Sequence, residues 1–364
     1  MTSCFSRIPV IDLSLASSPT GRADLLSQLR HAVTAIGFLY ISNHGVPEKV
    51  ITDLVDILPV LFALPRKAKD EVELSNSPHF LGYSKVGAEM TAGAKDRREQ
   101  FEFATELPDR WGEASGSGRP GYERLKGPNQ WPSQPPHLRR IVERYIEELT
   151  NLGTRFLRLV AESLSLPAET FFPFLSEQHR LKLVRYPASA SPTGSDTEST
   201  STQGVGPHKD SSGWWTFLLQ ASPPKVKGLQ ALNKAGGWID VPVIPGTFVV
   251  NIGQAFEVVT NGICKATTHR VVSGPLERFS VPFFQGVRGD LTKAEAVGTL
   301  RDKFASMGML EPAESEEGRN IDSAFLRGKY DTWGEAQLRT KIRSHRDVGV
   351  RFYGDVYERY IHDD

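Results

Sequence analysis

Only two of the 364 residues are cysteine, Cys4 and Cys264. They stand far apart, so neither a disulfide framework nor a CxxC zinc site can be assembled from them, and a reducing, intracellular setting is expected. An excess of charge is also missing: Lys+Arg and Asp+Glu both number 43, and the formal net charge is zero. Without a basic block interleaved with aromatics, a nucleic-acid partner is not expected. No apolar run approaches the roughly 18 residues that a membrane span needs. The opening MTSCFSRIPVIDLS lacks the basic segment and long apolar run of a signal peptide. These absences point to a cytoplasmic protein with no membrane partner.

What is present is globular: 39% apolar and 24% charged residues. The length is long for one domain and short for two large ones. Residues 1–135 mix helix and strand signals. IPVID (8–12), GFLYISNHGVP (37–47) and EQFEFA (99–104) read as strands, the second ending in a turn. Residues 22–36 and 47–63 carry apolar positions at helical spacing. Residues 137–165 hold the longest helical pattern and are expected to support a sheet. From about 179 to 290, short β-type runs recur between Gly, Pro and Asn: 179–187, 214–220, 228–232, 238–242, 247–253, 265–272 and 278–284. That texture predicts an all-β sandwich or barrel. Helical spacing returns at 292–306 and from about 335, so 291–364 is read as C-terminal helices packed on a 136–290 core. The polar, low-complexity span 188–204 is expected to be a mobile insertion beside the barrel mouth, an ordinary surface loop rather than a lid.

One stretch stands out. In GPHKDSSGWWTFLLQ (206–220), His208 and Asp210 share a face just before a run that should be buried. Polar groups there need a reason, and His269 in KATTHRVV supplies one. Two histidines and one carboxylate form the facial triad typical of non-haem iron(II), which leaves three octahedral positions open. A closed structural zinc site would want a fourth ligand, and none is evident. Arg278 and Ser280, in RFS, alternate onto one face and together suit a carboxylate. An arginine aimed into a barrel is costly unless an anion meets it. Tyr186, before Pro187, is a candidate for the same ligand.

With these motifs in order, the chain resembles the iron(II)- and 2-oxoglutarate-dependent dioxygenases of the isopenicillin N synthase-like branch. IPVIDLS and GFLYISNHGVP are similar to that family's N-terminal region, and HFLGYSKVGAE and DRREQFEF to its middle segment. GVGPHKD, GLQALNKAGGWIDVPVIPGTFVVNIG, THRVV and RFSVPFF are similar to its jelly-roll core. The resemblance runs from about residue 7 to 290. It implies an α+β, β-rich fold with a double-stranded β-helix core and flanking helices. It also implies iron ligands at His208, Asp210 and His269, a 2-oxoglutarate carboxylate on Arg278 and Ser280, and Tyr186 near its other end. The cofactors implied are Fe(II), 2-oxoglutarate and dioxygen. The implied reaction oxidises an unactivated C–H bond of a small molecule, releasing succinate and carbon dioxide, with a natural product as substrate and hydroxylation as the default outcome. An oxidase that takes no 2-oxoglutarate, and a non-catalytic jelly roll that binds a small ligand or metal, are the alternatives.

The chain departs from the family at Val184, where many members carry asparagine, and at Gln254, where an acid is frequent. Candidates for the substrate wall are Tyr83, Phe101, Phe103, Trp215, Phe217, Gln254 and Phe284, with core packing as the ordinary role for most of the aromatics. Arg98, Lys182 and Arg185 are expected to make exposed salt bridges. The chain is expected to be a monomer or weak homodimer.

Overall fold

Strand alternation decides the architecture: runs such as EQFEFA (99–104) and RLKLVRY (180–186) put apolar residues mainly on one face and polar ones mainly on the other. In the computed structural model, residues 5–91, 93–111, 118–189, 203–211, 213–309, 321 and 323–362 are described. Fourteen strands form among them. The early ones are β1 (Val10–Asp12), β2 (Phe38–Ser42), β3 (Gly82–Ser84), β4 (Met90–Thr91), β5 (Ala94–Lys95) and β6 (Glu99–Ala104). Then come β7 (Arg180–Tyr186), β8 (Gln203–His208), β9 (Gly213–Leu219) and β10 (Leu229–Leu232). β11 (Trp238–Asp240), β12 (Thr247–Ile252), β13 (His269–Val272) and β14 (Arg278–Gly286) complete the set.

The major sheet runs β1-β2-β12-β9-β14-β7-β6-β3, and the minor sheet β11-β10-β13-β8. Only the β1–β2 pairing in these two sheets is parallel. Two sheets joined in this way make the double-stranded β-helix that the motifs implied. The helix Leu138–Ser163 lies on the outer face of the major sheet. Its apolar residues recur at helical spacing, and Phe156 sets its ring edge-on to Trp215 at 4.9 Å and Phe217 at 5.6 Å. That face carries the main core, with Leu181, Leu183, Val250 and Phe283. The facing side, between the sheets, holds a second cluster with Phe38, Val184, Leu218, Val249 and Val271.

Differences from the sequence expectations are local. The strand expected over 265–272 begins only at His269, because Thr267 turns its hydroxyl to the Ile36 carbonyl at 2.5 Å. The helical pattern at 22–36 ends as a wide turn over Ala32–Ile36, closed by Gly37 at φ 72°. Most of the 188–204 insertion lies outside the described residues, while Gln203 and Gly204 belong to β8. The C-terminal region forms helices Trp333–Ser344, Arg346–Phe352 and Gly354–His362. Gln337 on the first of these donates from Nε2 to the Ser211 carbonyl at 2.8 Å, tying that helix to the loop after β8. No described helix is long and apolar enough to cross a membrane.

Candidate metal centre

The two histidines meet because their strands are neighbours in register: His269 on β13 stands opposite His208 on β8. Asp210 follows two residues beyond His208, so it returns to the same side. Each histidine Nε2 lies 3.6 Å from Asp210 Oδ1, a gap that two bonds of about 2.1 Å to one shared ion can bridge. Ligand atoms of all three residues fall within 4.8 Å of one another.

Hydrogen bonding prepares all three groups. His208 Nδ1 sits 2.8 Å from the Gly206 carbonyl and His269 Nδ1 3.0 Å from that of Thr267. A carbonyl accepts only from an N–H, so the proton belongs on Nδ1 and each Nε2 lone pair faces Asp210. Burial, with His208 beside it, pushes the His269 imidazole down to about 4, so the ring is neutral and free to ligate. The other carboxylate oxygen, Asp210 Oδ2, accepts from Thr216 Oγ1 at 2.5 Å and Asn251 Nδ2 at 2.7 Å. Burial alone would raise this carboxyl, but hydrogen bonding, with the Thr216 hydroxyl among the donors, holds it well below the usual range. The result is an anion flanked by two imidazole nitrogens, a donor set that suits a ferrous ion with open positions.

A cavity of about 200 Å³ opens from this triad between the sheets. At one end of it lies Arg278, only 3% exposed. Its Nη2 donates to Gln220 Oε1 at 3.3 Å, while Nε and Nη1 are buried with no hydrogen-bond partner among the described residues. No acid among the described residues pairs with it, and burial lowers its pKa. The guanidinium lies 5.0 Å from the Tyr186 ring centre, and Ser280 lines the same wall. A buried cation with two orphaned donors is stable only with an anion that the polypeptide itself does not provide. The 2-oxoglutarate carboxylate fits that demand.

The opposite end is crowded with charge. Glu102 on β6 meets Lys182 Nζ at 2.8 Å, Lys341 Nζ at 3.1 Å and Arg180 Nη1 at 3.4 Å. Glu89 meets Arg98 at 2.6 Å and Lys182 at 3.5 Å, and Asp96 meets Arg98 at 3.1 Å. Arg98 and Lys182 were expected to form exposed pairs. They are instead part of the cavity wall: Lys182 because even-numbered positions of β7 face inward, and Arg98 from its place just before β6. Arg185 does lie at the surface side, bridging Glu99 and Glu277, each at 2.6 Å.

That same alternation sorts the expected substrate residues. Tyr186 and Phe284 line the cavity with Arg278, Ser280 and the triad. Tyr83, Phe101, Phe103, Trp215 and Phe217 do not; they pack in the main core on the other face of the sheet. Gln254 is not on the wall either: it opens the short helix Gln254–Val259, and its backbone N–H bonds the Asp210 carbonyl at 2.9 Å. Among the residues that sequence reasoning passed over, Thr216, Leu218 and Asn251 line the cavity close to the triad's strands, and Glu102, Arg180 and Lys341 line its charged end. The signal for Thr216 and Leu218 was parity. Thr216 pairs with Phe284, and Leu218 with Pro282, on the inward face already marked by Arg278 and Ser280.

Comparison with known proteins agrees with this geometry. Residues 178–287 match the 2OG-Fe(II) oxygenase superfamily, and residues 8–134 match the N-terminal region of the non-haem dioxygenases in morphine synthesis. The chain is 40% identical to the 2-oxoglutarate-dependent dioxygenase frbJ of Dothideomycetidae sp. (strain 11243), over 96% of this chain and 92% of that one. It is 30% identical to homoarginine-6-hydroxylase 2-ODD-C23 of Glycine max, over 83% and 92% of the two chains. Among solved structures, a full-length Neurospora crassa protein in complex with alpha-KG and thymine superposes with a TM-score of 0.64 at 25% identity, covering 78% of this chain and 87% of that one.

Proposed function

The chain belongs to the iron(II)- and 2-oxoglutarate-dependent oxygenases, and from that premise we propose how its own residues divide the work. The enzyme is a non-haem dioxygenase that takes Fe(II), 2-oxoglutarate and dioxygen and acts on a small molecule. In our reading His208, Asp210 and His269 hold the iron. Bound there, the metal supplies oxygen activation coupled to decarboxylation of 2-oxoglutarate into succinate and carbon dioxide. Arg278 and Ser280 receive the carboxylate far from the metal, and Tyr186 borders the same ligand. Thr216 and Asn251 fix Asp210 so that one oxygen stays directed at the histidines. The protein side chains bind, orient and exclude water, and none needs to act as a general acid or base.

The outcome for the substrate is oxidation of an unactivated C–H bond, with hydroxylation as the default. A natural-product substrate is in keeping with the match of residues 8–134 to the N-terminal region of non-haem dioxygenases in morphine synthesis. The triad, Arg278 and Ser280 meet within a single chain, so the site needs no residue from a second copy, which supports a monomer or weak homodimer as the working form. Balanced charge and the lack of a basic block support small molecules rather than nucleic acid as partners.

The observation that carries this assignment is the pair of orphaned Arg278 nitrogens in the cavity that also holds the triad. Supplying Fe(II), oxygen and 2-oxoglutarate tests it. Succinate should form slowly without substrate and faster with it. Oxygen consumption with substrate but no succinate would instead favour an oxidase that does without 2-oxoglutarate.

A further inference from the structure

The charged end of the cavity has no part in holding metal or 2-oxoglutarate as assigned above. β14 and β7 run antiparallel with Arg278 opposite Tyr186 and Phe284 opposite Arg180. Arg180 is thus six positions along β7 from Tyr186, roughly 20 Å at the rise of an extended strand. Lys182 lies between them. A second anion-receiving region therefore stands well apart from Arg278, on the same inward face.

Its charges do not balance. Among the described ion pairs, Arg98, Arg180, Lys182 and Lys341 face Glu89, Asp96 and Glu102. His345 adds a further basic neighbour, 3.4 Å from Glu89. The acids lie deepest: the Asp96 and Glu102 side chains are 0% and 1% exposed, whereas Lys182 and Lys341 keep 17% and 18%. Cations thus stand in front of the acids, toward the cavity.

The individual bonds show which cations have capacity left. Arg180 is used up, donating to the carbonyls of Phe80, His79 and Leu125 as well as to Glu102. Among the described residues, Lys341 has one hydrogen bond, to Glu102, for its three donors. Lys182 reaches Glu102 and, more distantly, Glu89. Burial, with Arg180 and Lys182 nearby, pushes the Lys341 amine down to about 8 against the pull of Glu102. Its positive charge is under-compensated where it stands. Lys341 also borders an adjoining, more apolar cavity with Phe284 and Trp333, so a molecule seated on it can extend either way.

We propose that the substrate is a carboxylic acid whose carboxylate is received by Lys341 and Lys182, opposite the 2-oxoglutarate end. This deepens the oxygenase assignment and rests on it. Two ammonium groups in a partly desolvated wall reward an anion strongly, and a neutral analogue leaves them as they are. Binding at this place puts the rest of the substrate between the wall and the triad, so its acid group sets which carbon faces the metal.

The test uses the full-length protein with Fe(II) and 2-oxoglutarate, and a panel of the twenty common amino acids, L-homoarginine and short mono- and dicarboxylic acids. Each acid is paired with its carboxamide. Succinate formed without any panel compound reports the oxygenase itself; stimulation above that rate reports the inference. At least one acid should stimulate several-fold and its amide should not. For that acid, Lys341→Met should raise the half-saturating concentration by about tenfold or more, the loss of a charge-assisted bond. Lys341→Arg should restore most of it, and both variants should keep the wild-type 2-oxoglutarate requirement. Stimulation by amides equal to acids, no acid acting above its amide, or no change in Lys341→Met overturns the inference while basal succinate persists. Loss of basal succinate in the wild type would count against the oxygenase assignment and take the inference with it.

Discussion

The two ends of the cavity handle positive charge in opposite ways. At one end a single arginine, Arg278, is buried with two nitrogens unpartnered and no acid among the described residues beside it. At the other, four cations are held by three acids, and each acid is deeply placed. The first arrangement is poor for the empty protein and good for an anionic ligand. The second is paired within the protein except for its one excess cation, so the empty protein tolerates it and it still favours a matching anion. An obligatory cosubstrate and a selected substrate would be expected to differ in this way: one fills a demand, the other tips a balance.

Variants can break this contrast, beginning with what lies between the ends. Asp210→Ala removes the only anionic member of the proposed iron site. Turnover should fall to the level of the metal-free protein, and iron affinity by more than about 100-fold, beyond what loss of a supporting contact costs; equilibrium dialysis of Fe(II) under argon measures the second. Glu102→Gln should destabilise the fold by about 3 kcal/mol, because Lys182, Lys341 and Arg180 lose their shared counter-charge. Although burial opposes them, those three bases hold the Glu102 carboxyl below its ordinary range. Its stabilising effect is therefore present above the unfolded carboxylate value of about 4.3 and is lost as pH falls below it. Urea unfolding of wild type and variant at neutral and acid pH should show the difference shrinking in acid.

At the other end, Arg278→Met should raise the half-saturating 2-oxoglutarate concentration roughly 30-fold, about 2 kcal/mol. It should not lower the melting temperature of the protein without 2-oxoglutarate, since it removes an unsatisfied charge. Melting with and without the cosubstrate distinguishes this from a structural role, and a destabilised free protein would erase the contrast with Glu102. Thr216→Val should weaken iron binding by about tenfold, because Asp210 then loses one of its two supports.

The smallest effect concerns pH. The Lys341 amine sits near 8 in the folded chain, below its unfolded value. Between those values the unfolded state binds more protons, so this group makes the fold more stable as pH rises through that window. Stability curves from pH 7.5 to 10 should carry this rise in the wild type and lose it in Lys341→Met.

The His208–Asp210 and Arg278–Ser280 pairs were legible in the sequence because alternation along a strand fixes which side chains share a face, whereas His269 joins the first pair through the register of β13 against β8. What alternation could not show was which aromatic positions shared that face. Phe101, Phe103, Trp215 and Phe217 look like a substrate wall, yet they pack in the main core on the other face of the sheet. Register, not residue type, decides this: Thr216 stands opposite Phe284, and β6 offers Glu102 rather than Phe101 to the cavity. The charged wall was hidden for another reason. Arg98, Lys182 and Lys341 come from three distant segments, and only the fold brings them together.

A crystal structure of the chain soaked anaerobically with Fe(II) and 2-oxoglutarate tests the account most directly. It should place one ion on His208 Nε2, Asp210 Oδ1 and His269 Nε2, and the distal carboxylate of 2-oxoglutarate on Arg278 and Ser280. An ion bound elsewhere, or that carboxylate resting on Lys341 and Lys182, would contradict it.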